Sequence, residues 1–150
     1  MSYLVDTNVL LRGVQESHPM HSDAVRTTDL LLSHEPVSII PQNLIEFWAV
    51  STRPKTSNGL GLSVAETHER IAVIKSTFRL LSDTQDIFDE WERLVVQHQV
   101  LGKQVYDARL VAAMRVHNLT HLLTFNVPDF KRFSYITAAT PQTILDDENR

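Results

Sequence analysis

Several polar side chains stand where the apolar segments of this sequence end or are interrupted. They are Asp6 and Asn8, Glu46, Asp107, and Thr124, Asn126 and Asp129. A carboxylate among apolar residues is costly unless it is paired, and carboxylates that converge repel each other and raise at least one pKa. A divalent cation removes both penalties, and hard oxygen ligands select Mg²⁺ or Mn²⁺. The pattern therefore indicates a magnesium or manganese site.

Each of these acids also has an ordinary structural explanation. Asp6 is placed to cap a helix, Asp107 to interact with the dipole at a helix N-terminus, and Glu46 to lie on a solvated helix face. Taken singly, the structural and the metal explanations carry equal weight. Taken as a set at the ends of strands, the acids favour the metal explanation.

Short apolar runs alternate with longer segments of helical periodicity, which predicts strands that alternate with helices. The predicted strands cover 3–5, 37–40, 78–81, 121–124 and a short final segment at 134–136. The predicted helices cover 21–35, 41–50, 63–76, 83–95 and 105–116. Such alternation implies parallel crossovers, hence an α/β/α sandwich with a central, mainly parallel sheet. Ligands bind beyond the carboxyl ends of the strands in such sheets, and the acids follow those ends.

The chain has 150 residues, the size of one domain. We expect residues 1–136 to form this domain and 137–150 to be a C-terminal tail that belongs to it or is partly ordered. Residues 53–62 contain Pro54, Gly59 and Gly61, which predicts a surface loop between two helices. Ser63 and Glu66 follow with the spacing of a helix capping box.

Composition excludes several other kinds of site. The chain has no Cys, so it has no disulfide, thiolate metal site or cysteine nucleophile. Its net charge is −4, so any binding of nucleic acid must come from a local basic patch or a bound metal. No apolar run approaches the roughly 18–20 residues of a membrane span, and no basic region precedes an N-terminal apolar segment. We therefore expect a cytoplasmic protein without a membrane partner.

Four motifs, in this order, resemble those of PIN-domain ribonucleases, and in particular of VapC-type toxins from bacterial toxin–antitoxin pairs. They are YLVDTNVLL at 3–11, QNLIEF at 42–47, VYDA at 105–108 and LLTFNVPDF at 122–130. The resemblance covers residues 3 to about 136. It implies a PIN-like nuclease domain with a central parallel sheet. It also implies metal-dependent cleavage of RNA and a dimer that a small antitoxin holds.

The resemblance implies that Asp6, Glu46 and Asp107 are family acids of the site. The fourth position, often Asp in the family, is Asn126, which offers a carbonyl oxygen without a charge. Asp129 lies close by and is a candidate for the same role. A second ion is therefore expected to bind more weakly than the first.

The remaining family positions imply supporting roles. Asn8 and Thr124 match polar positions that orient the acids and the phosphate loop. We expect Asp6 and Asp107 to be the primary ligands of Mg²⁺, with Mn²⁺ as a possible substitute, and Glu46 to be a ligand or a base that orients water. Basic residues that border the site are candidates for binding RNA phosphates, although a solvated surface is the default explanation. They are Arg53, Lys55, Lys103, Arg109, Lys131 and Arg132.

Three functions remain open from the sequence. The first is a Mg²⁺-dependent endoribonuclease toxin that cleaves single-stranded or structured RNA by attack of an activated water. The second is a catalytically weak PIN-like module that binds RNA or a partner protein without cleaving. The third is a phosphatase with an aspartyl nucleophile, which requires an Asp where Asn8 stands. A homodimer is expected through the helix of Phe47 and Trp48 and the helix 63–76.

Overall fold

Five parallel strands form the central sheet of the computed structural model, which describes residues 1–150. They are β1 (Tyr3–Val5), β2 (Ser38–Ile39), β3 (Arg79–Leu80), β4 (His121–Leu123) and β5 (Thr137–Ala139), in the spatial order β3-β2-β1-β4-β5. Every neighbouring pair is parallel, with Leu4 of β1 opposite Ser38 on one side and Leu122 on the other. The predicted parallel sheet is confirmed.

Seven helices connect the strands and cover the sheet. They are α1 (Thr7–Val14), α2 (His21–His34), α3 (Pro41–Thr52), α4 (Val64–Thr77), α5 (Gln85–Gln97), α6 (Gln104–Val116) and α7 (Pro141–Glu148), with short 3₁₀ turns at Lys55–Ser57 and Val127–Phe130. None of these helices is both long and apolar enough to cross a membrane.

Two apolar cores lie on the two faces of the sheet. Leu4 packs in one core with residues of α5 and α6, whereas its neighbours Tyr3 and Val5 pack in the other with residues of α1, α2 and α3. Alternate residues of a strand point to opposite faces, so a strand that is covered on both faces is apolar throughout. This explains why the inner strands are readily visible in the sequence.

The predicted capping box starts α4. The Ser63 hydroxyl accepts a hydrogen bond from the Glu66 amide at 3.0 Å, and the Glu66 carboxylate accepts one from the Ser63 amide at 3.1 Å. The preceding loop is tied back to α3, because the Gly61 amide donates to the Arg53 carbonyl at 2.9 Å. Gly59 approaches the same carbonyl so closely that a Cβ atom there would lie 2.0 Å from its oxygen. A glycine is therefore required at position 59.

The last strand lies later than predicted. The sequence predicted it at 134–136, but β5 covers Thr137–Ala139 and pairs with β4. β5 is an edge strand whose residues stay partly exposed, so its sequence lacks the apolar signal of the inner strands. Residues 137–150, predicted as a tail, contain both β5 and α7, and the Thr27 hydroxyl of α2 donates to the carbonyl of Pro141 at 3.3 Å.

Strand order reverses between β1 and β4. The chain continues from β1 to β2 and β3 on one side, whereas β4 and β5 lie on the other. In open parallel sheets the connections leave a crevice at such a point, beyond the carboxyl ends of the two strands. The Asp6 amide donates to the Leu123 carbonyl at 2.9 Å across this point, which brings the ends of β1 and β4 together.

Candidate active site at the carboxyl edge of the sheet

Asp6 lies at the centre of the crevice, directly after β1 and directly before α1. Its side chain is only 8% exposed. Oδ1 accepts a hydrogen bond from the Thr7 amide at 2.7 Å, and Oδ2 accepts one from the Thr124 hydroxyl at 2.8 Å. Asp6 is therefore the N-cap residue of α1 as well as a candidate site residue, so its two sequence-based explanations are compatible.

Asn8 and Thr124 hold the loop after β4 against Asp6. The Asn8 amide nitrogen donates to the Thr124 hydroxyl oxygen at 3.3 Å, and the Asn8 side-chain oxygen accepts from the Phe125 amide at 3.3 Å. The Thr124 hydroxyl also accepts from the Asn126 amide at 3.0 Å. Thr124 is fully buried, so it has little freedom to release the carboxylate. These contacts match the orienting roles that the resemblance implied.

Burial raises the pKa of Asp6 to about 6. The hydrogen bonds from Thr124 and Thr7 favour the ionised form and oppose this effect, whereas the negative charges of Glu46 and Asp129 add to it. Hydrogen-bond donors thus stabilise the ionised Asp6 carboxylate, whereas the negative charges of neighbouring acids destabilise it. A bound cation would favour the same ionised form.

Glu46 projects from the middle of α3 and is half-buried. Its Oε1 accepts hydrogen bonds from the Thr7 hydroxyl at 3.4 Å and from the Gln42 amide nitrogen at 3.2 Å. The Thr7 hydroxyl in turn accepts from the side chain of Asn43 at 3.3 Å. Glu46 is therefore not a freely solvated helix residue, because α1 and α3 both fix its carboxylate.

Asp107 lies in the first turn of α6 and is also half-buried. Its pKa is raised to about 6, first by burial and then by the charges of Asp6 and Asp129, and no hydrogen bond counteracts them. The pKa of Glu46 is likewise raised, first by burial and then by the charge of Asp107, against the hydrogen bond from Gln42. Each acid thus makes ionisation of another less favourable, as expected for carboxylates that share one site.

Gln42 contacts Glu46 of α3 as well as residues of α6. This contribution of Gln42 was not predicted from the sequence. Its amide nitrogen donates to the Tyr106 carbonyl at 2.9 Å as well as to Glu46, and its oxygen accepts from Arg109 at 3.1 Å. Arg109 also forms an ion pair with Asp83 at 3.2 Å. The only signal available in the sequence was the spacing of Gln42 and Glu46, since residues four apart share a helix face.

Asn126 and Asp129 lie in the loop after β4 and differ in how they relate to the acids of the site. The charge of Asp129 raises the pKa of both Asp6 and Asp107, so its carboxylate lies within electrostatic reach of the two. Asn126 is exposed, and its amide is anchored to Thr124. The charge of Asp129 thus reaches two of the site's acids, and its role as the fourth acid stays a prediction.

The basic residues divide into separate groups. Arg109 contacts Gln42 and Asp83 from α6, and its predicted binding of RNA phosphate stays a prediction. Arg132 donates to Gln104 at 2.8 Å. Lys55 lines a cavity with residues at the C-terminal end of α1, whereas Asp6 caps the N-terminal end of that helix. Arg53, Lys103 and Lys131 are exposed.

The donors at this edge fit a divalent cation in type and charge. Asp6, Glu46 and Asp107 are oxygen donors whose raised pKa values reflect burial and mutual repulsion. No three acidic or histidine side chains of the chain stand close enough together to hold one ion as they are. The residues therefore fit a cation by chemistry, and the carboxylates would have to draw together around it.

Comparison with known proteins gives a family match over most of the chain. A sequence profile of the PIN domain matches residues 3–134. PIN-domain proteins are nucleases that generally use divalent metals. A search of curated proteins finds no match.

Solved structures share the fold at low sequence identity. VapBC2 from Rickettsia felis, bound to a promoter DNA fragment, is 16% identical with a TM-score of 0.68 over 93% of this chain and 98% of that one. VapC20 from Mycobacterium tuberculosis, a toxin that cleaves the sarcin–ricin loop, is 20% identical with a TM-score of 0.68 over 90% and 97%. A toxin–antitoxin complex from Klebsiella pneumoniae is 24% identical with a TM-score of 0.61 over 93% and 98%.

The similar structures show a common fold, whereas the match to the sequence profile is evidence for the family. It spans all four motifs that suggested the resemblance, including those of Asp6, Glu46 and Asp107. The structure brings these motifs to one edge of the sheet. The chain therefore belongs to the PIN domain family.

Proposed function

We propose that the protein is a metal-dependent endoribonuclease and the toxin of a toxin–antitoxin pair. The observation that carries this proposal is the convergence of Asp6, Glu46 and Asp107 at the strand-order reversal, each with a raised pKa. Isolated acids in structural roles would not raise each other's pKa values in this way. The substrate is RNA in single-stranded or structured form.

Asp6 and Asp107 would hold the metal ion, with Mg²⁺ as the expected ion and Mn²⁺ as a substitute. Such an ion, when bound, relieves charge on the non-bridging phosphate oxygens, activates water and stabilises the leaving oxygen. Glu46 would bind it as well or accept a proton from the attacking water. Its raised pKa makes it a stronger proton acceptor than an ordinary glutamate. Water adds to phosphorus, the bond to the 3′-oxygen breaks, and that oxygen leaves with a proton.

Asn8 and Thr124 would keep Asp6 oriented while this happens. Both oxygens of Asp6 already accept hydrogen bonds, so the carboxylate can rotate little. Asp129 would supply the fourth acid, because its charge acts on Asp6 and Asp107. Asn126 would add at most one neutral oxygen, and a second ion would therefore bind more weakly than the first.

RNA would reach this edge past exposed basic residues. Lys103 directly precedes α6 and Lys131 directly follows the turn of Asp129, so both flank acids of the site. Arg53 and Lys55 lie in the loop after α3, where Lys55 faces the far end of α1. We therefore assign phosphate binding first to Lys103 and Lys131.

A small antitoxin and a second copy of the chain are the proposed partners. Solved structures with this fold include toxin–antitoxin complexes, which supports an antitoxin partner. For the second copy, α3 and α4 present a wholly apolar hollow lined by Leu44, Ile45, Trp48, Ala49 and Ile71. Ile45 is 69% exposed there. An apolar hollow on two adjoining helices is typical of a surface that a partner covers.

A catalytically weak module that binds RNA is the second candidate. Asn126 at the family's acidic position and the lack of a preformed group of three ligands favour it. The phosphatase alternative has lost support, because the side chain of Asn8 is used to bind Thr124 and Phe125. An aspartyl phosphatase needs an acid there to protonate the leaving group.

Incubation of the purified protein with a mixed RNA pool tests the proposed function. We expect cleavage with Mg²⁺, none with a chelator, and none by Asp6→Asn, which can still accept the capping hydrogen bond from the Thr7 amide but has lost the charge. RNA binding without cleavage by the wild type, at any Mg²⁺ concentration, would favour the weak module.

A further inference from the structure

A second cavity lies beside the first residues of the strands, away from the carboxylate site. It has a volume of about 590 Å³ and is walled by the end of α2, by α7 and by β1, β4 and β5. Tyr3 and His121 are the first residues of β1 and β4, whereas Asp6 follows the last residue of β1. The volume is in the range of small-ligand sites, and no part of the proposed nuclease function uses it.

Tyr3 contributes a hydroxyl to the lining of this cavity. The residue is only 6% exposed, and its hydroxyl has no hydrogen-bond partner within the chain. The hydroxyl is therefore free to bind water or a ligand in the cavity. Burial and the charges of Glu35 and Asp147 raise the Tyr3 pKa, so the phenol stays neutral beside these acids.

Aromatic rings form one wall of the same cavity. The Tyr3 ring lies 5.1 Å from the ring of His121, at an interplanar angle of 39°. Burial and the chain's N-terminal charge lower the His121 pKa and favour the neutral ring, whereas the charge of Glu35 opposes this effect. Neutral aromatic rings attract cations to their faces.

Three carboxylates line the same cavity. They are Glu35, at the end of α2, and Asp147 and Glu148, in the last turn of α7. Glu35 and Asp147 form only weak ion pairs within the chain. The α-ammonium of Met1 lies 3.7 Å from Glu35, and the Arg150 guanidinium lies 3.8 Å from Asp147, both in largely exposed pairs. The acids thus remain open to another cation.

A divalent metal does not fit this arrangement, because no three acidic or histidine side chains are grouped closely enough to chelate one ion. A larger cation with several N–H donors does fit. Its donors would bind the carboxylates and the Tyr3 oxygen, and its apolar stem would contact lining residues such as Leu31 and Ile144.

We propose that this cavity binds an alkylammonium group, carried either by a free diamine or by a lysine side chain of a partner protein. The carboxylates supply the charge, the Tyr3 hydroxyl accepts one N–H hydrogen bond, and the aromatic wall covers the cation. The proposal stands independently of the nuclease function, since it involves none of the residues at the carboxyl edge.

Backbone amide NMR shifts test the proposal when the protein is titrated separately with 1,5-diaminopentane and with N-acetyl-lysine methylamide at constant ionic strength. 1-Pentanol serves as the uncharged control. We expect saturable shifts of Tyr3, His121 and Thr143 with the amines and none with the alcohol. Binding of only one amine also supports the proposal and identifies the source of the cation.

Three variants locate the binding. Tyr3→Phe should weaken the Kd about tenfold while leaving the unfolding temperature unchanged, because its hydroxyl has no partner in the chain. Glu35→Gln should weaken the Kd by a similar factor. Glu92→Gln, an equal loss of charge at an exposed position of α5, should bind as the wild type does.

Several results would overturn the proposal. One is the absence of saturable shifts with both amines. Another is an unchanged Kd in Tyr3→Phe or Glu35→Gln. A third is an equal loss of binding in Glu92→Gln, which would reduce the effect to general attraction between charges.

Discussion

The hydroxyl of Thr124 donates a hydrogen bond to Oδ2 of Asp6 over 2.8 Å and joins the ends of the two strands between which the sheet changes direction. The two residues are 118 positions apart in the chain. This bond holds a buried carboxylate in its ionised form against neighbouring acids. The geometry of the site thus depends on a neutral side chain that is not a proposed metal ligand.

Removal of this hydroxyl should therefore affect function and stability together. Thr124→Val removes the shortest hydrogen bond to Oδ2 of the buried Asp6 and leaves the Asn126 amide without its acceptor. We expect a loss of about 1–3 kcal/mol in the free energy of unfolding and a ten- to hundredfold loss of cleavage. Chemical denaturation and RNA cleavage measure the two effects. Thr124→Ser, which keeps the hydroxyl, should recover most of both, and failure to do so would disprove the role of this bond.

Metal binding should stabilise the fold. The acids repel each other in the metal-free protein, so a cation that binds only the folded state raises its stability by mass action. Millimolar Mn²⁺ should raise the wild-type Tm by about 3 °C, corresponding to about tenfold excess over Kd. Asp107→Asn should abolish most of this increase. Thermal unfolding with and without Mn²⁺ checks this, and a wild-type Tm that does not change would contradict a clustered site.

The acids also predict a pH dependence of opposite sign to that of ordinary surface carboxylates. Asp107 has a folded-state pKa of about 6, above its usual value of 3.8, so folding disfavours its charged form. Without metal, Asp107→Asn should be about 1 kcal/mol more stable than the wild type at pH 7, an estimate reduced for partial exposure. This difference should shrink as pH falls through 6 and vanish below about 4.

Urea unfolding at several pH values, in the presence of a chelator, measures this difference. Asp89→Asn on the exposed side of α5 is the matched control, and its stability relative to the wild type should not follow the same trend. A difference for Asp107→Asn that stays constant from pH 7 to pH 4 would mean that neither burial nor neighbouring acids raise the folded-state pKa of Asp107.

The loop after β4 offers a separate test of the fourth acid. Asn126→Asp should tighten metal binding and raise cleavage at limiting Mg²⁺, with less gain at saturation, because a charged oxygen replaces a neutral one. Asp129→Asn should lower cleavage strongly, since its charge already acts on Asp6 and Asp107. The Mg²⁺ dependence of initial rates checks both variants. If Asn126→Asp leaves this dependence unchanged, residue 126 does not face the metal.

The apolar hollow on α3 and α4 predicts self-association. Ile45→Asp places a charge in this hollow and should convert a dimer into a monomer at tens of micromolar protein. Val96→Asp, on an exposed apolar position of α5, should leave the dimer intact. Light scattering coupled to size-exclusion chromatography distinguishes the two. A wild-type protein that is monomeric under these conditions would rule the proposed dimer out.

Much of the fold was predictable because local signals agree with the tertiary structure. The inner strands are buried on both faces and hence apolar, and Ser63 and Glu66 mark the start of α4. β5 was misplaced because an edge strand needs no such pattern, so the more apolar segment at 134–136 was chosen instead.

The acids of the site were predictable, whereas most of their partners were not. Asp6, Glu46 and Asp107 interrupt apolar segments and fall in recognisable motifs. Gln42 of α3 and Arg109 of α6 are 67 residues apart and meet only in the tertiary structure, which no local pattern records. The ion pair of Arg109 with Asp83 was not predicted for the same reason, and phosphate binding by Arg109 stays a prediction.

Analysis of the ends of the RNA products tests the central claim most directly. A water activated by a carboxylate-bound ion displaces the 3′-oxygen, so the wild type with Mg²⁺ should yield 5′-phosphate and 3′-hydroxyl ends. Asp6→Asn, prepared in parallel, should yield none above background. Products with 2′,3′-cyclic phosphate ends, or equal cleavage by Asp6→Asn, would contradict hydrolysis at this site.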